Sequence, residues 1–302
     1  MYDVIVIGAG PAGLQTALTL GRMHRSVLVL DSGEYRNGPV AHMHNVVGND
    51  GTPPAEFRAS ARAQLAAYGD VEMRDAAATR VTGERDDFTV ELADGTSERA
   101  RRIVLATGVA DVLPAVPGLD DLWGRGAYNC PFCDGHEFSG ARIGILGATE
   151  RSAHLIGMLG RIAGEIVVFP LDGTTDPDVV AQLTRAGATV HRAPVTSVGG
   201  ADGDLTVRTA DGDAAVAGLF VAAGSVRQRA PFAEQLGLRM LPSGAIEVDD
   251  FGSTSRPGIS AAGDLAHRAA LPGIMASVIA AAAAGQLAAV GVVRELMVAP
   301  AQ

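Results

Sequence analysis

The sequence predicts an α/β fold in which one strand–turn–helix–strand unit is interrupted by a second of the same kind. Three observations carry this. Short apolar runs recur along the 302-residue chain, most ending in glycine or an acid. Two of them open into a glycine-rich turn and then a helical pattern. The last, GISAAGD at 258–264, follows the second unit but has the form of a strand that completes the first. Short apolar runs bounded by turn residues are what strands buried on both faces of a parallel sheet look like.

Taken in order, DVIVI (3–7) is a strand, GAGPAG a turn, and the pattern to about Met23 a helix. SVLVLD (26–31) is the next strand and ends in an acid. Together they make a βαβ unit of about thirty residues. RIVLATG (102–108) is a further buried strand ending in glycine. ARIGILGATE (141–150) begins a second strand, turn and helix, and GEIVVFP (164–170) supplies its next strand. AVAGLFVAAGS (215–225) repeats the buried strand with terminal glycine. Residues 79–82, 88–92 and 205–209 read as small antiparallel additions. Proline-containing joins at VLPAVPG (112–118) and LPSGAIEVDD (241–250) mark the expected crossings. The architecture is therefore two Rossmann-like dinucleotide-binding domains, each of three-layer ββα form, the second inserted into the first. The expected boundaries are 1–114 with 245–302, and 115–244.

Composition narrows the function. Hydrophobic residues make up 47%, enough for sizeable cores, and the net charge of −10 argues against nucleic acid or an anionic membrane as partner. All 24 basic residues are Arg, which removes Lys from the catalytic candidates. The first strand begins at the third residue with no basic region and cleavage site before it, so a cytoplasmic location is expected. Residues 269–293 carry no charge and have the length of a membrane span. They are dominated by Ala and broken by Pro272, Gly273, Gly285 and Gly291, so a buried helix packed against backbone or cofactor is expected instead.

Gly8, Gly10 and Gly13 fit G-x-G-x-x-G. The first permits the tight turn, the second admits a pyrophosphate to the backbone, and the third lets helix and strand approach. The helix N-terminus then offers N–H groups and a positive dipole end to the phosphates. Asp31, eighteen residues after Gly13, ends the next strand and can accept a ribose hydroxyl. The stretch TSRPGISAAGD, with Thr254 ten residues before Asp264, resembles the second FAD fingerprint of two-dinucleotide flavoproteins. In that pattern the Asp binds the ribityl chain; the alternative is an ordinary helix-capping acid.

The only two cysteines, Cys130 and Cys133, stand in YNCPFCDGHE. Such a pair suits redox exchange or metal binding. Opening a helix lowers a thiol pKa and supplies thiolate, and thiol–disulfide exchange needs one attacking and one resolving sulfur. A zinc site would need two more ligands, for which His136, His42 and His44 are available.

Through VIGAGPAG, NCPFCDG and ISAAGD, the chain resembles the low-molecular-weight thioredoxin reductase family over nearly its whole length. The resemblance implies FAD, a homodimer, and a flavin in electron exchange with the cysteine pair. It implies that Cys133 faces the flavin, that Cys130 meets the substrate, and that Asp134 is the acid, with His136 beside them. It assigns to FAD the first turn (Gly8, Gly10, Pro11, Ala12, Gly13) and the strand end Asp31–Ser32. His42 and Asn45, then Thr107 and Gly108, then Gly263 and Asp264 complete that set. Ser277 stands where reductases of this kind carry Gln, and the backbone N–H groups of Ser277 and Val278 remain able to stabilise a reduced, anionic flavin.

The second half departs from a reductase. Its turn reads GATERSA (147–153), placing Thr149 where the middle glycine should be and Glu150 where phosphate would lie. No Arg occurs between Arg161 and Arg185, while Asp172, Asp176 and Asp178 do. A clamp for the 2′-phosphate is thus missing, which argues against NAD(P)H; the alternative is a nicotinamide nucleotide bound in a modified way. The stretch VAHMHNVVGNDGTPPAEF (40–57) resembles instead the dithiol oxidases of holomycin and gliotoxin biosynthesis. His42, His44 and His136 are candidates to deprotonate a thiol, or else structural. The expected activity is FAD-dependent oxidation of a dithiol through Cys130 and Cys133, with oxygen or another acceptor. The alternatives are an NAD(P)H- or other donor-dependent reductase of a thioredoxin-like protein, and a non-catalytic FAD-binding redox sensor.

Overall fold

The computed structural model describes residues 1–173, 176–201 and 203–297. The chain divides into two compact units. The first comprises Met1–Gly38, Ala55–Ala110 and Val226–Gln302; the second comprises Pro39–Pro54 and Asp111–Ser225.

In the first unit, β1 (Tyr2–Ile7), α1 (Pro11–Arg22) and β2 (Val27–Asp31) form the expected βαβ unit. Helix α2 (Pro54–Leu65) leads to β3 (Val71–Asp75), then to β4 (Ala78–Glu84), β5 (Asp87–Leu92) and β6 (Ser97–Leu105). The sheet runs β3-β2-β1-β6-β5-β4, and strand Ile259–Ala261 also pairs with β6. Pairings β2–β3, β1–β2, β1–β6 and β6 with Ile259–Ala261 are parallel, whereas β4–β5–β6 is antiparallel. One long strand thus joins a parallel sheet to a meander.

Alternation along each strand feeds two cores. Val4, Val6, Val27 and Val29 face a helical layer containing α1 and the C-terminal helix Val278–Met297. Ile5, Ile7, Leu28 and Leu30 face the meander residues Val81, Phe88 and Val90. Helices cover one face of the parallel strands and the meander, a continuation of the same sheet, covers the other, which makes the ββα layering.

The C-terminal helix is long and apolar enough to cross a bilayer by length and composition. Its small residues are used for close packing. A side chain at Gly285 would lie 2.1 Å from the Ala12 carbonyl oxygen, and one at Gly291 would lie 2.9 Å from that of Phe251. Thr16 Oγ1 donates at 2.8 Å to Ala12 and stands 3.0 Å from the Gly285 carbonyl, tying the two helices. The other end of this helix is tied by a buried cation. Arg102 on β6, only 1% exposed, donates from Nη1 to Asp86 Oδ1 at 2.7 Å and from Nε to Glu295 Oε2 at 2.9 Å.

The second unit repeats the plan. Helix α3 (Pro131–Asp134) precedes β7 (Arg142–Leu146), α4 (Glu150–Leu159) and β8 (Glu165–Phe169). Its sheet runs Thr189–Val190, β8, β7, Gly218–Val221, Ala127–Tyr128, and all pairings are parallel. A separate antiparallel sheet, Val195–Ala201, Asp204–Thr209 and Gly212–Val216, packs Val198, Leu205 and Val207 onto one face. Helix α4 packs Leu155, Ile156 and Leu159 onto the other.

The crossings differ from expectation. The chain leaves the first unit after Ala110 and returns at Val226, not at 244–245. The stretch expected to carry the return crossing is instead a tight turn inside the first unit. There the Leu241 N–H bonds the Ala245 carbonyl at 2.8 Å, so Pro242 serves a turn and not a join. Residues 39–54, expected with the first domain, group with the second.

Removing the buried cation takes from Glu295 its partner and leaves Asp86, still paired with Arg101, with one bond fewer. Arg102→Ala is expected to cost roughly 1.5–3 kcal/mol of unfolding free energy, the range for losing hydrogen bonds between charged groups. Glu295→Gln, which leaves Arg102 paired with Asp86, should cost roughly 1 kcal/mol. Urea denaturation of both variants checks this, and equal losses would contradict it.

Candidate active site

The first glycine turn has the geometry of a phosphate cradle. Gly8 has φ +107°, and a side chain there would meet the Ala106 carbonyl oxygen at 2.4 Å. One at Gly13 would lie 1.8 Å from the Gly8 carbonyl oxygen, so helix and strand approach as closely as backbone allows. At Gly10 nothing lies within 4 Å, so the approach to the helix end is open. Gly10 caps α1 with no side-chain hydrogen bond, Pro11 follows, and the first turn carries no acid. The N–H groups of Ala12 and Gly13 therefore face outward from an uncapped helix end.

Two other segments meet this turn. Ala106 and Thr107, followed by Gly108, lie against Gly8. Gly263 (φ +92°) comes so close to α1 that a side chain on it would lie 3.0 Å from Ala12 Cβ and 3.8 Å from Ala281 Cβ. The two fingerprints, far apart in sequence, thus share one place at the C-terminal ends of parallel strands. Ser277 begins the C-terminal helix by capping it: its Oγ accepts the Ala280 N–H at 3.0 Å.

The two cradle acids are both engaged. Asp31 is 3% exposed and its Oδ1 accepts, at 3.4 Å, from Ala9 and from Gly33. Its Oδ2 accepts from the Tyr35 hydroxyl and, at 2.5 Å, from Arg62. Burial and the neighbouring Asp31 carboxylate push the Tyr35 phenol upward. Arg58 stacks over the Tyr35 ring at 3.8 Å. Asp264 Oδ2 accepts from Arg36 Nη1 at 3.0 Å. Ser32 stands exposed after Asp31. Sequence reading missed Tyr35, Arg36, Arg58 and Arg62. The sequence signal was present only as a cluster of Arg and Tyr downstream of the strand end.

The cysteines lie in the second unit. Cys130 and Cys133 are disulfide-bonded at 2.10 Å with Cα atoms 5.3 Å apart. Cys130 is the N-cap of α3 and Pro131 its first residue. That helix has four residues, so it supplies less dipole than the sequence reading assumed. Phe132, between the cysteines, is 69% exposed. Asp134 follows Cys133, and burial first, then the Glu137 carboxylate, pushes its carboxyl up to about 7, with His44 opposing. Asn129 Nδ2 donates to Asp111 Oδ1 at 3.3 Å just before Cys130.

His42, His44 and Asn45 belong to the same unit as the cysteines, and not to the unit that holds the glycine cradle. His44 stands between two carboxylates: Nδ1 is 3.7 Å from Asp50 Oδ1, and Nε2 is 3.7 Å from Glu137 Oε1. Asp50 also accepts the Asn45 N–H at 2.7 Å. The rings of His42 and His136 are exposed. The structure thus groups Cys130, Cys133, Asp134 and His44, and adds Asp50 and Glu137, which sequence reading did not single out. Among the described residues no three His, Cys, Asp or Glu gather to hold a metal ion.

The second glycine turn is built differently. Gly147 makes the bend at φ +98°. Thr149 is the N-cap of α4 and forms a capping box with Ser152. The Thr149 N–H donates to Ser152 Oγ at 3.2 Å, and Ser152 Oγ donates to the Gly147 carbonyl at 2.5 Å. Glu150 adds a carboxylate to the first turn. The capping box ties up the Thr149 and Ser152 N–H groups, and Glu150 gives this helix end negative charge. Asp176 is also occupied locally, accepting the Asp178 N–H at 2.8 Å.

The family model for pyridine nucleotide-disulphide oxidoreductases matches residues 2–285. A thioredoxin reductase, tcpT, of Claviceps purpurea is 32% identical over 98% of this chain and 96% of its own length. An oxidoreductase from Agrobacterium tumefaciens superposes with a TM-score of 0.88 at 34% identity, covering 98% of each chain. HlmI superposes at 0.85 with 32% identity, over 98% of this chain and 92% of its own. The family implies FAD, and the uncapped, glycine-lined end of α1 fits a dinucleotide. Since these matches run through both units, the chain belongs to the pyridine nucleotide-disulphide oxidoreductase family, as a thioredoxin reductase-like, flavin-dependent disulfide oxidoreductase.

Proposed function

We propose that this protein is a dithiol oxidase, drawing electrons from a substrate dithiol and not from a nicotinamide nucleotide. The contrast between its two helix ends supports this reading. The N-terminus of α1 is uncapped and free of acid. That of α4 is capped by Thr149 and Ser152 and carries Glu150. A pyrophosphate reaching α4 would have to displace internal hydrogen bonds and lie beside a carboxylate.

The chemistry follows from thiol exchange. A substrate thiolate attacks Cys130, whose disulfide bond to Cys133 breaks. Cys133 leaves with the bonding electrons, and Asp134, the next residue, supplies the proton its thiolate takes up. The second substrate thiol then closes the product disulfide and releases Cys130. Gly8, Gly10, Pro11, Ala12 and Gly13 would hold the FAD pyrophosphate, with Asp31 and Asp264 on its sugar portions. FAD, when bound, supplies the two-electron sink that empties the cysteine pair toward oxygen or another acceptor. The exposed Phe132 ring favours a small, apolar-bodied dithiol.

A second reading, a reductase of thioredoxin-like proteins, is favoured by the likeness to thioredoxin reductases such as tcpT. Anaerobic mixing separates the two. A dithiol is expected to bleach the flavin, with peroxide formed on admitting air, whereas NADPH and NADH leave the colour unchanged. Fast bleaching by either nicotinamide would sink the oxidase reading. Cys130→Ser should abolish dithiol turnover while FAD stays bound.

Asp134 gives a pH prediction. With its carboxyl pushed up to about 7, it holds a proton below that pH and loses it above, so the step it serves should slow as pH rises through about 7. Glu137→Gln removes a carboxylate that raises Asp134, so this limb should move to lower pH. Asp134→Asn should erase it. An unmoved limb in both variants would assign the proton elsewhere.

A further inference from the structure

The segment 39–54 contributes more than a wall to the redox centre. It is a closed loop: Met43 N–H bonds the Thr52 carbonyl at 3.0 Å, and Gly51 N–H bonds the Met43 carbonyl at 2.8 Å. Asn45 turns through the left-handed region at φ +60°, and its N–H is held by Asp50 at 2.7 Å. A non-glycine residue rarely adopts that conformation, so the turn is held by its bonds. The result is that one carboxylate, Asp50, both shapes the turn and faces Nδ1 of His44 at 3.7 Å. The other nitrogen, Nε2, points at the residue group that follows the cysteines, where Glu137 lies 3.7 Å away. His44 is 26% exposed, and Asp50 is 67% exposed on the solvent side. A carboxylate beside one imidazole nitrogen is the arrangement that orients a general base, and the other nitrogen faces Glu137, four residues after Cys133.

We propose that His44 is the base that takes the proton from the incoming substrate thiol, and that Asp50 is its positioning residue. The inference rests on the reading of Cys130 and Cys133 as the substrate-facing disulfide. The charged groups facing His44 are Asp50 on its own loop, Glu137 on the turn after α3, and Asp134 on α3 itself. In the first exchange the substrate S–H proton moves to His44 Nε2. The new thiolate bonds to Cys130 Sγ, the Cys130–Cys133 bond breaks, and Cys133 keeps the electron pair. In the second exchange the other substrate thiol gives up its proton, its sulfur displaces Cys130, and the product disulfide forms. Two electrons end on the cysteine pair and two protons leave the substrate by way of His44, one replacing the proton that Asp134 gave to Cys133 and the other passing to water. Before the exchange the ring carries its proton on Nδ1 toward Asp50, leaving Nε2 to accept, and Glu137 stabilises the imidazolium that forms once Nε2 has taken the thiol proton.

The test is the rate at which dithiothreitol reduces the FAD-bound protein without oxygen. It is read as flavin bleaching and, on quenched samples, as maleimide labelling of Cys130 and Cys133. His44→Ala is expected to slow reduction at neutral pH by about 10²-fold. Free imidazole should restore part of the rate. The gap to wild type should close as pH rises past the ionisation of the substrate thiol, where no base is needed. Asp50→Asn should slow reduction less, with the same convergence at high pH. A His44→Ala rate equal to wild type at neutral pH would overturn the inference. So would a loss that persists at high pH and ignores imidazole, since that marks a purely structural role. Failure of the wild type itself to be reduced would instead overturn the dithiol-oxidase reading on which the inference stands.

Discussion

The N-terminus of α1 is held by backbone contacts that no side chain could enter. Position 13 presses on the Gly8 carbonyl, and position 285 on that of Ala12. Thr16 bridges the same two helices from its hydroxyl. A Cβ at Gly13 or Gly285 would drive strand, helix and C-terminal helix apart by more than a van der Waals contact tolerates. The turn would then lose its place beside Ala106 and Gly263, and the acids Asp31 and Asp264 their common target. The cradle is therefore a consequence of three elements packed at backbone distance, and the Ala-rich character of the C-terminal helix is part of the same constraint.

The two units share one architecture and treat the equivalent helix end in opposite ways. In the first, the end of α1 is left for an external anion. In the second, Thr149 and Ser152 close a capping box on α4, a cap of the kind that contributes about 1 kcal/mol to a helix. The fold tolerates both because the sheet and its two covering layers do not depend on what the helix end binds. Function resides in such sites and not in the fold that carries them.

Charge is compensated differently at the two candidate sites. In the first unit the acids Asp31 and Asp264 face guanidinium groups, from Arg62 and Arg36. These stay charged at any accessible pH and so give a fixed geometry. Around the cysteines the carboxylates Asp50, Asp134 and Glu137 share one imidazole. A cradle needs permanence, whereas a centre that moves protons needs groups able to change state.

Much of this protein is written locally. Alternating or continuous apolar runs specify the strands because a side chain's face is set by position within the strand; those expected at 79–82, 88–92 and 205–209 fall within two residues of their place, whereas β6 starts five residues before the apolar run that marks it. The glycines of the first turn, the cysteine pair and the acid at the end of β2 are equally legible, since each does its work within a few residues. Other features depend on partners distant in sequence. Arg102 finds Glu295 across 193 residues, Arg36 finds Asp264 across 228, and Arg62 finds Asp31 across 31. No periodicity records such pairings, and an Arg in a polar stretch reads as a solvated surface until the fold closes over it. The loop 39–54 shows the same limit: its sequence marks His42 and His44 alike, and only packing against the turn after α3 separates an exposed ring from one set between two carboxylates. Local sequence determined the elements, the turns and the reactive pair, because backbone conformation is a short-range property. The tertiary structure decided which charges meet, because electrostatic partners are chosen by proximity in space.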